Sequence, residues 1–360
     1  MKIVHIINSL ESGGAEKLLL DTLPLYPKKN VTVDLIVLNG FDFPFMKALR
    51  SINCCTIHSL GLTSAYNPIA IFKLITFLKR YDIVHVHLFP TQYWVVIAKF
   101  LSGSKVKLVY TEHSTSGRRI KSNFFKKLDP FFYKQYSKII AISEEVVEVV
   151  KAHTKLDATI ELIPNGVAID SFRNSVPAQK SVFFPGGTTA LKILIQVASF
   201  KDPKDQKTVI RSLLHLPDNI RLILVGDGAQ QEDCIKLTKQ LNISHRVVFL
   251  GVRMDVPQLV QMADIAIVSS KYEGFSLTAI EAMAVGKPVI ASDVVALNTI
   301  VKGAGLLFNV GDEKQLSHHV EQLLSNDDYY NERVDSGLER ASQYDIAFML
   351  DKQIKIYSKL

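Results

Sequence analysis

Short apolar runs alternate with amphipathic stretches along the whole chain. Runs rich in Val and Ile, without a polar residue at every second place, suit strands buried on both faces. They predict strands over 2–7, 32–38, 83–87, 107–111, 138–141 and 159–163, then over 192–198, 221–225, 246–250, 265–268, 288–291 and 305–307. Helical spacing fills most of the gaps, as over 15–23, 68–79, 207–214, 232–241, 256–261 and 315–323. Such alternation gives mainly parallel sheets covered by helices on both faces. Two series predict two doubly wound domains, with ligands at the carboxyl ends of the strands, in a cleft between the domains.

Pro164, Asn165 and Gly166 end the first series with a turn, and Pro177, Pro185, Gly186 and Gly187 break regular structure after it. The expected domains are therefore 1–178 and 179–340. The remaining 341–360 belongs to a tail with helical apolar spacing at Leu338, Ile346, Met349, Leu350, Ile354 and Tyr357.

Composition adds limits. A chain of 360 residues, 48% hydrophobic and 21% charged, can bury two cores and does not read as disordered. Cys54, Cys55 and Cys234 lack metal-ligand spacing, and so sparse and odd a count fits a reducing cytoplasm, the expected location. The opening run from Met1 to Asn8 reads as a first strand rather than a signal peptide. No run reaches the roughly 18 apolar residues of a membrane span, so the chain is not expected to cross a membrane.

The net charge of +7 is uneven. Lys105, Lys107, Arg118, Arg119, Lys121, Lys126, Lys127, Lys134 and Lys138 face only Glu112 and Asp129 in one stretch, interleaved with Phe124, Phe125, Leu128, Phe131, Phe132, Tyr133 and Tyr136. Two readings stand open: a surface for anionic lipid headgroups, or a solvated basic face above a helix with its aromatics turned inward. No nucleic-acid motif accompanies the charge, and no nucleic-acid partner is expected.

Candidate chemistry concentrates in a few places. Glu273 and Glu281 stand eight positions apart, around a loop of Gly274, Phe275 and Ser276 and the helix start at Leu277. A little over two helical turns lets a loop Glu and a helix Glu point at one ligand, while the helix start offers backbone N–H groups to an anion. Gly13 and Gly14 follow the first strand and open a helix, as a flexible cap or a close-approach loop. His113 lies at a strand's carboxyl end. His85 and His87 share one face of a strand, yet no third metal ligand matches them, and a structural or acceptor-lining role is favoured. No metal and no cofactor is expected. Lys201 and Lys204 sit in a loop after the strand that opens the second series, and Val252 follows a strand-ending Gly251.

The run Glu273-Gly274-Phe275-Ser276-Leu277-Thr278-Ala279-Ile280-Glu281, continued by Ala282-Met283-Ala284-Val285-Gly286-Lys287-Pro288-Val289-Ile290, resembles the signature of the retaining glycosyltransferases of family four. These are glycogen-synthase-like enzymes of the two-Rossmann GT-B architecture. The resemblance implies that the last helix crosses back to the first domain. It implies that Gly13 and Gly14 touch the ligand, that His113 donates a hydrogen bond to the transferred sugar, and that Glu273 holds sugar hydroxyls. It also implies that Glu281 holds the ribose, that Lys201 and Lys204 clamp the donor diphosphate, and that backbone at Val252 meets the base.

Lys201 stands where the family usually has Arg, and Thr299 where it usually has Glu. The absence of any Asp-x-Asp fits a metal-independent reaction. The implied activity is transfer of a sugar from a nucleotide sugar, by family habit a UDP-sugar, to a glycan. A lipid-linked oligosaccharide of a bacterial surface polysaccharide, met at the inner face of the plasma membrane, fits the basic-aromatic stretch. A non-catalytic nucleotide-sugar-binding protein, an epimerase or a phosphorylase of the same architecture stays open.

Overall fold

The computed structural model describes residues 1–115, 118–157, 159–185 and 190–360, with backbone alone at 118 and 121. They form two compact units: Met1–Gly166 with Ile346–Leu360, and Val167–Asp345.

The first unit is built on strands β1 (Lys2–Ile7), β2 (Thr32–Val37), β3 (Thr56–Ser59), β4 (Ile83–His87), β5 (Lys107–Glu112), β6 (Lys138–Ala141) and β7 (Ile160–Leu162). They lie in the order β3-β2-β1-β4-β5-β6-β7, every pair parallel. All five residues of β4 are buried, as the unbroken run Ile-Val-His-Val-His requires of a central strand, although two of the five are histidines. β3 was not expected: Thr-Ile-His-Ser is a short, half-buried edge strand with no apolar run to announce it.

The second unit is built on β8 (Lys192–Val197), β9 (Ile220–Val225), β10 (Val247–Phe249), β11 (Ile265–Val268), β12 (Val289–Ser292) and β13 (Leu306–Phe308). Their order is β10-β9-β8-β11-β12-β13, again parallel throughout. Each sheet therefore reverses its winding once, between β1 and β4 and between β8 and β11. Loops at the carboxyl ends beside such a reversal part and leave a crevice.

Side-chain caps fix several helix starts: Ser143 accepts from the Val146 N–H, Asp205 from Thr208, Asp312 from Gln315 and Asn326 from Tyr329. Each satisfies a backbone donor that the helix itself cannot, worth about 1 kcal/mol.

The division between units falls before Val167, not after Ala178. Val167, Ile169 and Phe172 are buried in one cluster with Ile193, Met283 and Leu297 of the second unit, which draws that strip into it. Gly186 and Gly187, expected to break structure, lie outside the described residues. The last helix, Ile346–Tyr357, belongs to the first unit: Tyr26 reaches its Gln353 and Tyr357, and Lys29 pairs with its Asp351. It begins beside Gly166, where a Cβ would lie 2.4 Å from the Ile346 Cα.

Candidate functional site

In the second unit, the loop after β8 and the loop after β11 are laced together by backbone. Asp205 N–H donates to Ser269 O at 3.0 Å, and Lys271 N–H donates to Pro203 O at 2.9 Å. Lys204 and Ser270 thereby sit opposite each other in a short bridge. Their side chains meet on one carboxylate: Lys204 forms an ion pair with Glu273 Oε1, and Ser270 Oγ donates to the same oxygen at 2.8 Å. Sequence spacing places Lys204 and Glu273 in separate motifs; parallel strand order brings them together.

Ser276 then caps the helix Leu277–Ala284, its Oγ accepting from the Ala279 N–H at 3.4 Å. Glu281 lies within that helix and is buried. Gly274, Phe275 and Leu277 are half-buried beside it, and Lys201 is exposed.

A glycine allows the neighbouring loops to close up. Gly226, after β9, has φ +133°, and a Cβ there would lie 2.1 Å from the Ala198 carbonyl oxygen. Its N–H donates to Gly251 O at 2.8 Å, which carries Val252 to the same edge of the sheet. Thr299 is exposed and bonds back to Val295 O within its own helix.

In the first unit, Gly13 is the extended N-cap of the helix Gly14–Thr22 after β1. A Cβ on Gly13 would strike the Glu16 carboxylate, 2.3 Å away. His113 follows β5, half-buried.

Beside it lies a feature that sequence reasoning left incomplete. β1 pairs with β4 so that His5 falls beside His85, which supplies the third histidine that His85 and His87 lacked. Ligand nitrogens of His5, His85 and His87 lie within 4.8 Å of one another, close enough for a metal ion. All six ring nitrogens already have hydrogen-bond partners, however. His5 Nδ1 meets His87 Nε2 at 2.9 Å and His5 Nε2 meets Tyr26 Oη at 2.9 Å. His85 Nδ1 meets Tyr357 Oη at 2.5 Å, His85 Nε2 meets Thr111 Oγ1 at 2.7 Å, and His87 Nδ1 meets His113 Nε2 at 3.1 Å.

The donor set is satisfied without an ion. Burial pushes His5 down to about 3 and His113 down to about 4. It also holds His85 and His87 well below the usual histidine range, helped by the neighbouring imidazoles. At neutral pH these rings are uncharged.

The basic-aromatic stretch divides. Arg119, expected on the basic surface, is largely shielded from water: its guanidinium donates to Glu112 at 2.6 Å and to Asp129 at 2.7 Å. A shielded cation needs such partners, and the two acidic residues of the stretch are spent on it. Tyr133 and His153 join the network, on Glu112 and on Asp129 respectively, each at 2.5 Å. Burial raises Asp129 to about 6, against the opposing influence of His153. Phe132, Tyr133 and Tyr136 turn inward, whereas Phe124 and Phe131 are exposed together with Lys105, Lys107, Lys126, Lys127 and Lys134.

The second unit thus offers a carboxylate steadied by an ammonium beside a helix start, and the first a neutral imidazole at a strand end. The first arrangement suits hydroxyls next to an anion, the second a hydrogen bond without charge.

Comparison with known proteins places one family model on each unit. The model for Glycosyltransferase Family 4 matches residues 12–171, and that for Glycosyl transferases group 1 matches 181–340. The chain is 29% identical to N-acetyl-alpha-D-glucosaminyl L-malate synthase of Bacillus anthracis, over 69% of this chain and 67% of the relative. It is 26% identical to UDP-Gal:alpha-D-GlcNAc-diphosphoundecaprenol alpha-1,3-galactosyltransferase of Escherichia coli, over 87% and 85%. The crystal structure of Anabaena HepE in complex with UDP and glucose shares the fold, with a TM-score of 0.87 at 22% identity and all of both chains covered. With one profile on each parallel sheet and named transferases aligned across most of its length, the chain is a GT-B glycosyltransferase and belongs to glycosyltransferase family four.

Proposed function

We propose that the chain transfers a sugar from a UDP-sugar to a hydroxyl of a lipid-linked glycan, with retention of anomeric configuration and without a metal ion. The observation that carries this is the Lys204–Glu273 pair at the head of the helix that holds Glu281. Glu273 accepts from hydroxyls of the transferred sugar, and Lys204 fixes its orientation. Lys204 and Lys201 offer cations to the diphosphate, and backbone N–H groups from Gly274 to Leu277 add the positive end of a helix dipole. Glu281 takes the ribose hydroxyls, backbone at Val252 the base, and Gly13 and Gly14 give the phosphates close backbone approach. His113, neutral, donates to the sugar.

The bond from the anomeric carbon to the diphosphate oxygen breaks as the acceptor oxygen bonds to the same carbon. The acceptor's proton passes to the leaving phosphate, which yields the glycoside and UDP. Charge builds on the diphosphate, where the lysines and amides stabilise it.

Support for the donor comes from HepE, solved with UDP and glucose, and support for the acceptor from the Escherichia coli relative, whose name specifies a diphosphoundecaprenol-linked sugar. No helix among the described residues is long and apolar enough to cross a membrane. Exposed Phe124 and Phe131 among exposed lysines fit docking on anionic lipid at the inner face of the plasma membrane. Phe131 stands 6.1 Å from Phe100, itself exposed, which extends the apolar patch.

The test is incubation of the purified chain with UDP-sugars and a short-chain lipid-diphosphate sugar, with and without chelator. Retained configuration in the product and unchanged turnover under chelation support the proposal. Donor epimerised or hydrolysed without acceptor would overturn it.

A further inference from the structure

The buried histidines of the first unit form a relay with one internal consistency condition. Tyr26 Oη, His5, His87 and His113 are joined end to end at 2.9, 2.9 and 3.1 Å. A neutral imidazole carries one N–H and one bare nitrogen, and each hydrogen bond holds one proton. The three rings must therefore all donate in the same direction. If Tyr26 donates to His5 Nε2, then His5 Nδ1–H donates to His87 Nε2, His87 Nδ1–H donates to His113 Nε2, and His113 is protonated at Nδ1. If His5 donates to Tyr26 instead, every proton reverses and His113 carries its proton at Nε2.

The hydroxyl of Tyr26 decides between them. In the reversed state its proton must go to Gln353 Oε1 at 3.4 Å or Tyr357 Oη at 3.3 Å, both long for an O–H···O bond, and Tyr26 is fully buried. In the forward state that proton lies in the 2.9 Å bond to His5. A buried hydroxyl left poorly satisfied costs more than one that is well paired.

We propose that Tyr26, His5 and His87 act as positioning residues that fix His113 as the Nδ1–H tautomer, so that it presents a neutral N–H donor to the transferred sugar. The arrangement of protons stands on geometry alone; its use on a sugar rests on the reading of His113 given above. His87 holds the ring of His113 in place and also dictates which nitrogen bears the proton, and the instruction originates at Tyr26, next to the helix Ile346–Tyr357. Desolvation keeps fully buried His5 and half-buried His113 from protonating near neutral pH.

The experiment is nitrogen-15 NMR of the full chain labelled at histidine, with His113→Asn used to assign the His113 signals. Protonated and bare imidazole nitrogens resonate far apart, so the tautomer is read directly, whatever reaction the protein catalyses. A bare Nε2 and protonated Nδ1 on His113 is the result expected; a protonated Nε2 overturns the proposal, with no variant needed. Two variants test the functional half. His87→Leu removes the donor to His113, and His87→Gln keeps an amide that can still donate to it. Turnover is expected to fall about tenfold in His87→Leu with KM for the donor little changed, and to recover to within about threefold in His87→Gln. Equal losses in the two variants, with both folded by thermal melt, would make His87 merely structural. The expected tautomer in a chain that transfers no sugar would leave the relay standing and the functional reading refuted.

Discussion

Lys204 and Glu273, separated by 69 positions, form an ion pair through loops that follow β8 and β11, the two strands at which the second sheet reverses. The pair is largely shielded from water, with 22% of the lysine and 10% of the glutamate side chain exposed. Removing Lys204 leaves the Glu273 carboxylate without this cation in a place of low screening. Lys204→Ala is expected to lower turnover about a hundredfold, on the scale of a lost electrostatic contact in an active site. Lys204→Arg should keep the charge but misplace it. Steady-state transfer assays check both, and unchanged turnover in Lys204→Ala would detach the pair from the chemistry.

Lys201 is exposed, and a guanidinium there would grip a diphosphate with two parallel bonds where an ammonium makes a point contact. Lys201→Arg is expected to tighten UDP binding severalfold. Calorimetric titration with UDP measures it; weaker or equal binding would show that the loop is not aimed at the diphosphate.

Acid should unfold the first unit early. His5 and His113 titrate near 3 and 4 in the fold, against about 6.5 in the unfolded chain, and His85 and His87 are shifted the same way. The unfolded state takes up these protons first, so stability is whole above about pH 6.5 and falls as pH drops towards 4. At pH 5.5 the shifts of His5 and His113 each cost on the order of 1 kcal/mol of stability, and His85 and His87 act in the same direction. Asp129 works the other way: raised to about 6, it favours the fold as pH falls, and it offsets part of the loss. Thermal midpoints from pH 7.5 to 5 should decline steeply. A flat profile would mean the imidazoles are not held neutral.

Arg119 should be costly to remove. Arg119→Leu leaves Glu112 and Asp129 buried without their shared cation, a change worth about 3–5 kcal/mol. Because Glu112 directly precedes His113, turnover should suffer even where the protein still folds. Denaturant unfolding gives the first number and transfer assays the second. A loss under about 1 kcal/mol would return Arg119 to the surface role its sequence suggested.

Phe124 and Phe131 should govern lipid attachment. The double change to Ser is expected to reduce sedimentation with anionic vesicles about tenfold, and to leave transfer to a soluble short-chain acceptor intact. Equal binding to neutral and anionic vesicles would argue against the lysines.

Much of this molecule is legible along the chain. Strands buried on both faces announce themselves as unbroken Val and Ile runs, and all but β3 stand near their expected places. β3 escapes because an edge strand needs no apolar run. What single positions cannot show is register and distance. His5 looks like one more residue of a first strand until β1 is set beside β4. Arg119 looks like one of many surface cations until its helix folds over Glu112. The boundary was expected later because prolines and glycines suggest the division, whereas the apolar side chains of Ile169 and Phe172 mark which core the strip joins.

The final helix has a consequence in time. His85 bonds to Tyr357, 272 positions later, and all of the second unit is made in between. Domains emerging from a ribosome usually fold in order, the first before the second is complete. Here the first sheet can assemble early, yet its buried hydroxyl and imidazole groups wait for Gln353 and Tyr357. The nascent first unit therefore carries an open seam while its neighbour is synthesised, and a fragment that stops at Gly166 would keep that seam for good.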